Sequence, residues 1–414
     1  MTVTITAARD ILRANDRGGY TVPTSRLYPF QWNWDSAFVA LGWATFDETR
    51  AWRELERLVE GQWDDGMLPH IIFHAPSDEY FPGPDVWGTH HEPPTSGITQ
   101  PPVLATSIRL LLDGAARPAE VEARAAALYP HALALHRWWA HARDPLNSGL
   151  VAILHPWESG MDNSPAWDAA MARVPAAPST PIKRRDIGHV HADMRPSQAD
   201  YERYIMLVDL YRSHGWSPEK MWETTPFKVA DIAINAILHR AESDLRTLAG
   251  RFGTPSDRAE IELRLERQRT AIASLWSEPA NLYESMDLMT GARIEAATSG
   301  GFLPLFANIP SSGQAARMAR EIERWGQTLR YLVPSLSPFD ARFEPKRYWR
   351  GPVWAIVNRM IAEGLNTYGH AALADRIRED TRSLMRQSGF AEYYDPVTGE
   401  GLGGASFSWT AAMA

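Results

Sequence analysis

The chain of 414 residues is long enough to bury a large core, and its 44% hydrophobic and 22% charged residues are ordinary for a globular protein. A net charge of −8 argues against a nucleic-acid partner, which would need a basic stripe, and the absence of cysteine excludes disulfides and thiolate metal sites. No apolar run approaches the roughly 18 to 20 residues that span a membrane, and residues 1–10 lack the pattern of a secretion signal, so a cytoplasmic protein without membrane contact is expected.

Helical periodicity dominates the chain. Apolar residues recur at three- and four-residue steps over 36–46, 48–62, 102–114, 119–143, 198–213, 227–248, 257–277, 313–324, 353–368 and 371–387. In 227–248, Ile234, Ile237, Leu238, Ala241, Leu245 and Leu248 make one face, with Arg240, Glu242 and Asp244 opposite. Cap chemistry marks two starts, Asp47 before Glu48 and Ser256 before Asp257. Alternating β-branched runs are almost absent, and 150–154 is the best short candidate for a strand. The chain reads as all-α.

Long polar, aromatic loops separate the helices at 16–35, 63–101, 145–196, 278–310, 326–352 and 388–405. Loops beyond about 15 residues in a compact domain are functional or disordered. These are too rich in Trp, Tyr, Phe and His for disorder. A long loop at every second connection suits a closed ring of helix pairs with the loops gathered at one end. The Pro-rich stretch 174–181 lies inside one such loop and reads as a rim or lid element, so residues 1–414 are expected to form one domain. Of the 17 Trp, about half fall in Gly/Pro-rich segments: Trp32, Trp34, Trp63, Trp87, Trp157, Trp349, Trp354 and Trp409. Aromatics gathered in loops point to one shared cavity.

Four loop segments repeat the same chemistry. Tyr28-Pro29-Phe30-Gln31-Trp32-Asn33-Trp34-Asp35 presents a carboxylate, two amides and two indoles just before a helix. Trp157-Glu158-Ser159-Gly160-Met161-Asp162-Asn163-Ser164-Pro165 packs two carboxylates, a glycine and an indole into a stretch without helical or strand period. Tyr348-Trp349-Arg350-Gly351-Pro352-Val353-Trp354 places a forced turn between two aromatic pairs. Glu392-Tyr393-Tyr394-Asp395-Pro396-Val397-Thr398-Gly399 is the fourth. Indoles suit the apolar face of a sugar ring, and paired carboxylates are the usual acid and base of glycosidic cleavage. One such segment alone would pass for an aromatic plug. Together the four point to a carbohydrate.

These motifs resemble glycoside hydrolase family 63, and within it the compact bacterial mannosylglycerate and glucosylglycerate hydrolases, over about residues 16–412. The resemblance implies an (α/α)6 toroid with long active-site loops at one end. It also implies inverting hydrolysis of an α-linked sugar on a small organic acid, to free hexose and glycerate. The alternatives are a glucosidase of a neutral disaccharide such as trehalose, whose enzymes share versions of the Tyr348 motif, or a non-catalytic sugar-binding toroid.

Position by position, Asp162 matches the general acid, Glu392 the general base and Asp35 the carboxylate that holds sugar hydroxyls. Spacing alone does not separate Asp162 from Glu158 or Glu392 from Glu400; the resemblance does. Glu158 is then expected to orient a loop or meet the sugar, and Asp395 and Glu400 to shape a turn around Pro396 and Gly399. Arg195, Tyr201 and Tyr348 match where those enzymes hold glycerate, Arg suiting a carboxylate through its planar fork. The competing role for Arg195 is an ion pair with Asp200 at a helix start. Gln31, Trp32, Trp34, His70, Gln100, Trp157, Trp349, Trp354 and Tyr28 complete the expected substrate-binding set.

No cofactor and no metal are expected. His70 and His74, or His189 and His191, could begin a metal site, but no third ligand has a fixed spacing. Gly401-Leu402-Gly403-Gly404 lacks the lysine and strand of a phosphate loop, and no Gly-x-Ser-x-Gly elbow occurs. The expected partner is a small-molecule glycoside; whether the chain forms a homo-oligomer is open.

Overall fold

The computed structural model describes residues 2–188 and 190–414. In chain order its principal helices are α1 (Thr2–Asn15), α2 (Asn33–Ala44), α3 (Glu48–Val59), α4 (Leu104–Asp113), α5 (Pro118–Ala142), α6 (Gln198–Ser213), α7 (Ile232–Phe252), α8 (Pro255–Ala273), α9 (Ser312–Trp325), α10 (Ala355–Thr367), α11 (Ala371–Ser388) and α12 (Ser408–Ala412).

A helix that is apolar on most sides belongs inside a protein, and one with a single apolar stripe belongs on its flank. That rule sorts these helices into two rings. The inner circuit runs α2, α4, α7, the 3₁₀ helix Ser299–Leu305, α10 and α12, each packed on the next, and α12 returns to α2. The outer helices α3, α5, α8 and α11 pack on the inner helices α2, α4, α7 and α10 respectively. α9 reaches the 3₁₀ helix through the short strand Leu282–Tyr283, and α1 covers α12. This is the (α/α)6 toroid. α6 lies outside the circuit, within the long connection from α5 to α7.

Two inner elements are abbreviated, and periodicity does not reveal them. In Ser299–Leu305, a side chain at Gly301 would come within 2.5 Å of the Tyr283 carbonyl, and Pro304 donates no backbone hydrogen bond. α12 spans five residues and is buried throughout. The opening Thr2-Val3-Thr4-Ile5-Thr6 carries poor helix formers, yet α1 forms because Ala8 and Leu12 are buried in the core.

Caps fix most of the boundaries. Asp47 accepts from the Arg50 amide as expected. The cap of α8 is Thr254 and not Ser256, because Pro255 occupies the first helical position and Thr254 forms a reciprocal pair with Asp257. Residues 150–154 form no strand; Ile153 only exchanges backbone hydrogen bonds with Val229, at 2.8 and 3.1 Å.

The ring is joined by polar groups. The Asn15 side-chain amide donates to the Ser406 carbonyl and the Ser408 hydroxyl, both at 2.9 Å. Ser408 in turn donates to the Val22 carbonyl at 2.7 Å. No helix among the described residues is long and apolar enough to cross a membrane.

Candidate active site

Because outer and inner helices alternate along the chain, the inner helices all begin at the same end of the toroid, where the long connections gather. There they enclose a cavity of about 770 Å³ including its mouth. Asp35 lies on the first turn of α2, Gln100 just before α4, Tyr348 before α10 and Trp409 within α12. Asp162 and Arg195 come from the connection between α5 and α7, and Glu392 from the segment after α11. The loop 278–310 contributes no lining residue.

Twelve of the expected site residues line this cavity: Tyr28, Trp32, Trp34, Asp35, His70, Gln100, Trp157, Asp162, Arg195, Tyr201, Tyr348 and Glu392. Three expected residues do not. Gln31 is spent behind the wall, donating to the Ser36 hydroxyl at 3.0 Å and meeting His74 at 2.6 Å. Trp349 and Trp354 stack on each other, with centroids 3.7 Å apart, and Trp354 backs the Tyr348 ring. Of the remaining loop tryptophans, Trp409 faces the cavity while Trp63 and Trp87 do not.

The three central carboxyls differ in surroundings. Burial pushes the Asp162 carboxyl up to about 7; Arg195 opposes the shift and Glu392 adds to it. With a value near 7, such a group is about half protonated at neutral pH and able to give a proton. Burial also raises Glu392, but Arg195, the Gly404 amide and the Tyr28 and Tyr348 hydroxyls oppose this. Their geometry is close: Tyr28 and Tyr348 donate to Oε1 at 3.1 and 3.3 Å, and Gly404 donates to Oε2 at 2.9 Å. Four such partners favour the ionised form, a proton acceptor, although burial leaves the carboxyl raised on balance. Burial, with Glu392 nearby, holds Asp35 well above the ordinary carboxylate range.

Gly160 makes the Asp162 loop possible. Its φ is +68°, and a Cβ there would stand 2.6 Å from Trp34. Only glycine permits that approach of loop to indole. Glu158, four residues before Asp162, does not reach the cavity. It is buried in an ion pair with Arg143 at 2.5 Å and accepts from the Leu154 amide at 2.8 Å, so it orients the loop. Glu400 pairs at the surface with Lys346 at 2.6 Å, and Asp395 accepts from the Val397 amide at 2.7 Å within its turn.

Arg195 does not pair with Asp200, which caps α6 together with Ser197. Its Nε donates to Asp186 at 3.3 Å and its Nη2 to the Tyr28 hydroxyl at 2.8 Å. Nη1 is buried 3.7 Å from Glu392 with no hydrogen-bond partner among the described residues. The cavity therefore holds a fixed cation whose Nη1 faces the Glu392 carboxylate without a direct hydrogen bond to it. Tyr201 lines the cavity with its hydroxyl donating to the Phe81 carbonyl at 2.7 Å, which leaves the phenolic oxygen as an acceptor, and its ring lies under Arg184. Asp186 and Tyr80 also line the cavity, although no motif singles them out. Asp186 sits in Lys183-Arg184-Arg185-Asp186, a charge cluster that reads only as polar loop.

Among the described residues, His70 and His74 do not converge. His70 bonds the Ser96 hydroxyl at 3.0 Å and stacks on Trp157, while His74 turns to Gln31. Burial lowers both, and His74 falls to about 4. His189 lies outside the described residues.

The chain matches the mannosylglycerate hydrolase MGH1-like glycoside hydrolase domain over residues 28–410. It is 52% identical to mannosylglycerate hydrolase of Thermus thermophilus over 98% of both chains, and 35% identical to glucosylglycerate hydrolase of Mycolicibacterium hassiacum over 97% of this chain and 94% of that one. It superposes with a TM-score of 0.97 on the Thermus thermophilus family 63 mannosylglycerate hydrolase in complex with Tris and D-glycerate, over 99% of this chain and 98% of the other. The chain thus belongs to the MGH1-like branch of glycoside hydrolase family 63 and is a glycoside hydrolase.

Proposed function

We propose that the enzyme hydrolyses mannosylglycerate or glucosylglycerate with inversion, releasing hexose and glycerate, and that residues 1–414 act as one glycosidase domain. Asp162 is the acid: with its carboxyl raised to about 7, its protonated form gives a proton to the glycosidic oxygen as the bond to the anomeric carbon breaks. Glu392 is the base: it takes a proton from the water that attacks the opposite ring face, a geometry that needs about 6.5–9.5 Å between the carboxyls. Trp34, Trp157 and Asp35 supply the stacking faces and polar contacts for the hexose.

The observation that carries the aglycone assignment is the buried Arg195 guanidinium, which lines the cavity and whose Nη1 lies 3.7 Å from Glu392 with room for a second, hydrogen-bonded carboxylate. A desolvated guanidinium nitrogen without a partner is costly, and a carboxylate satisfies it best. A neutral disaccharide would offer it hydroxyl acceptors but no charge. Relatives named for both glycerate glycosides, and a relative's structure holding D-glycerate, support the same reading.

The test is release of reducing sugar and glycerate from mannosylglycerate, glucosylglycerate and trehalose, with the product anomer followed by NMR. Cleavage of both charged substrates in preference to trehalose, with the β-anomer appearing first from an α-linkage, is expected. Preference for trehalose, or first appearance of the α-anomer, overturns the reading.

A further inference from the structure

Asp162 lines two cavities. Besides the active-site cavity it borders a second space of about 480 Å³ including its mouth, and it is the single residue common to the two linings. The lining of this rear chamber mixes Trp167 and Met171 with polar groups: Asn163, Ser164 and Tyr204 lie beside Asp162, Tyr204 donates to the Asp162 carbonyl at 2.9 Å, and Arg350 donates to the Asn163 carbonyl. The Asn163 Nδ2 is buried and finds no acceptor among the described residues, although its Oδ1 accepts from the Trp349 amide at 2.9 Å. The outer rim is exposed at Asp168 and Ala172, with Arg203 half-buried beside them. A partly polar chamber of this size, with a donor left over, is suited to ordered water.

We infer that the rear chamber is a water-filled proton route that recharges Asp162 after each turnover, while the front cavity is occupied by product. The inference rests on Asp162 being the acid. In an inverting cycle Asp162 loses one proton to the leaving oxygen and Glu392 gains one from the attacking water. Before the next cycle, a proton must leave Glu392 and another must reach Asp162. No proton is made or consumed overall; one is exchanged through solvent on each side. Through the front cavity this exchange would have to wait for the products to leave. Through the chamber past Asn163 and Tyr204, a chain of water would join Asp162 to the rim independently of them.

Blocking the rim tests the route. Ala172→Trp and, from the facing helix, Arg203→Trp fill the mouth without touching substrate. Recharging follows the chemical step, so it enters kcat and not kcat/KM. Each folded variant should lose about fivefold or more in kcat with kcat/KM unchanged. The solvent deuterium isotope effect on kcat should rise, and a small diffusible acid such as imidazolium should restore turnover. Ala172→Ser should behave as wild type. A folded rim variant with wild-type kcat and isotope effect overturns the route, as does one in which kcat and kcat/KM fall together. Asp162→Asn separates the two claims. If it stays active, the acid assignment fails; if it is inactive while both rim variants turn over normally, only the route fails.

Discussion

The Arg195 guanidinium stands 3.7 Å from the Glu392 carboxylate, and both groups are buried. Besides its pair with Asp186, one cation thus serves Glu392 and the carboxylate we assign to the substrate. Removing it has two separable consequences. Arg195→Ala should slow every substrate, because Glu392 loses the charge that keeps it ionised. It should slow the glycerate substrates further, by about 2–5 kcal/mol, through an unpaired buried anion. The readout is the ratio of kcat/KM for the charged glycoside to that for its neutral glycerol analogue. If that ratio is unchanged, Arg195 serves Glu392 alone. Arg195→Lys should recover only part of the difference, because a point charge cannot reproduce the planar fork.

Asp162→Asn and Glu392→Gln should each lower turnover by about 100-fold or more, with thermal unfolding unchanged. Glu400→Gln should match wild type, because Glu400 is held at the surface by Lys346. Damage from Glu400→Gln without damage from Glu392→Gln would move the base to Glu400.

The pH profile follows from Asp162. The acid works protonated and its carboxyl is raised to about 7, so kcat/KM should fall as pH rises through that value. The same shift affects stability. The folded-state value lies above the ordinary 3.8, so this contribution is fully present below about 4 and is lost as pH rises through about 7. An alkaline limb centred well below pH 6 would assign the acid elsewhere.

Glu158→Gln should destabilise the protein by about 3–5 kcal/mol, since it leaves the Arg143 charge buried without its partner. Urea denaturation measures the loss. Activity per folded molecule should fall as well, because Glu158 holds the loop that carries Asp162. A variant with unchanged stability would show that the pair contributes nothing net.

Much of this architecture is legible before any coordinates, for physical reasons. α6 spans the predicted residues because a capping box and a clear apolar period agree on its ends. The fourth and sixth inner elements escape notice because Gly301 and Pro304 shorten one, while five residues are too few to show a helical period in the other. Among aromatic loop residues, composition cannot tell Trp157, which faces the cavity, from Trp349, which is stacked behind it; only the chain path decides. Gln31 fails similarly, since an amide beside Trp32 satisfies a buried serine and histidine as readily as a sugar. The commitment of Tyr201 to the Phe81 carbonyl depends on a contact 120 positions away, which no local pattern encodes.

The seam at Asn15, Val22 and Ser408 has a bearing on biosynthesis. On the ribosome, Asp35, Asp162 and Arg195 emerge long before Glu392 and the buried segment that completes the circuit. Until residues 405–412 dock, α2 keeps an uncovered apolar flank and the base has no place to stand. Such distant pairings form late and slowly. Folding and competence therefore coincide in the docking of residues 405–412. Lesions at the seam, for example Asn15→Ala, should show as fewer active molecules at unaltered turnover, a signature of yield and not of rate.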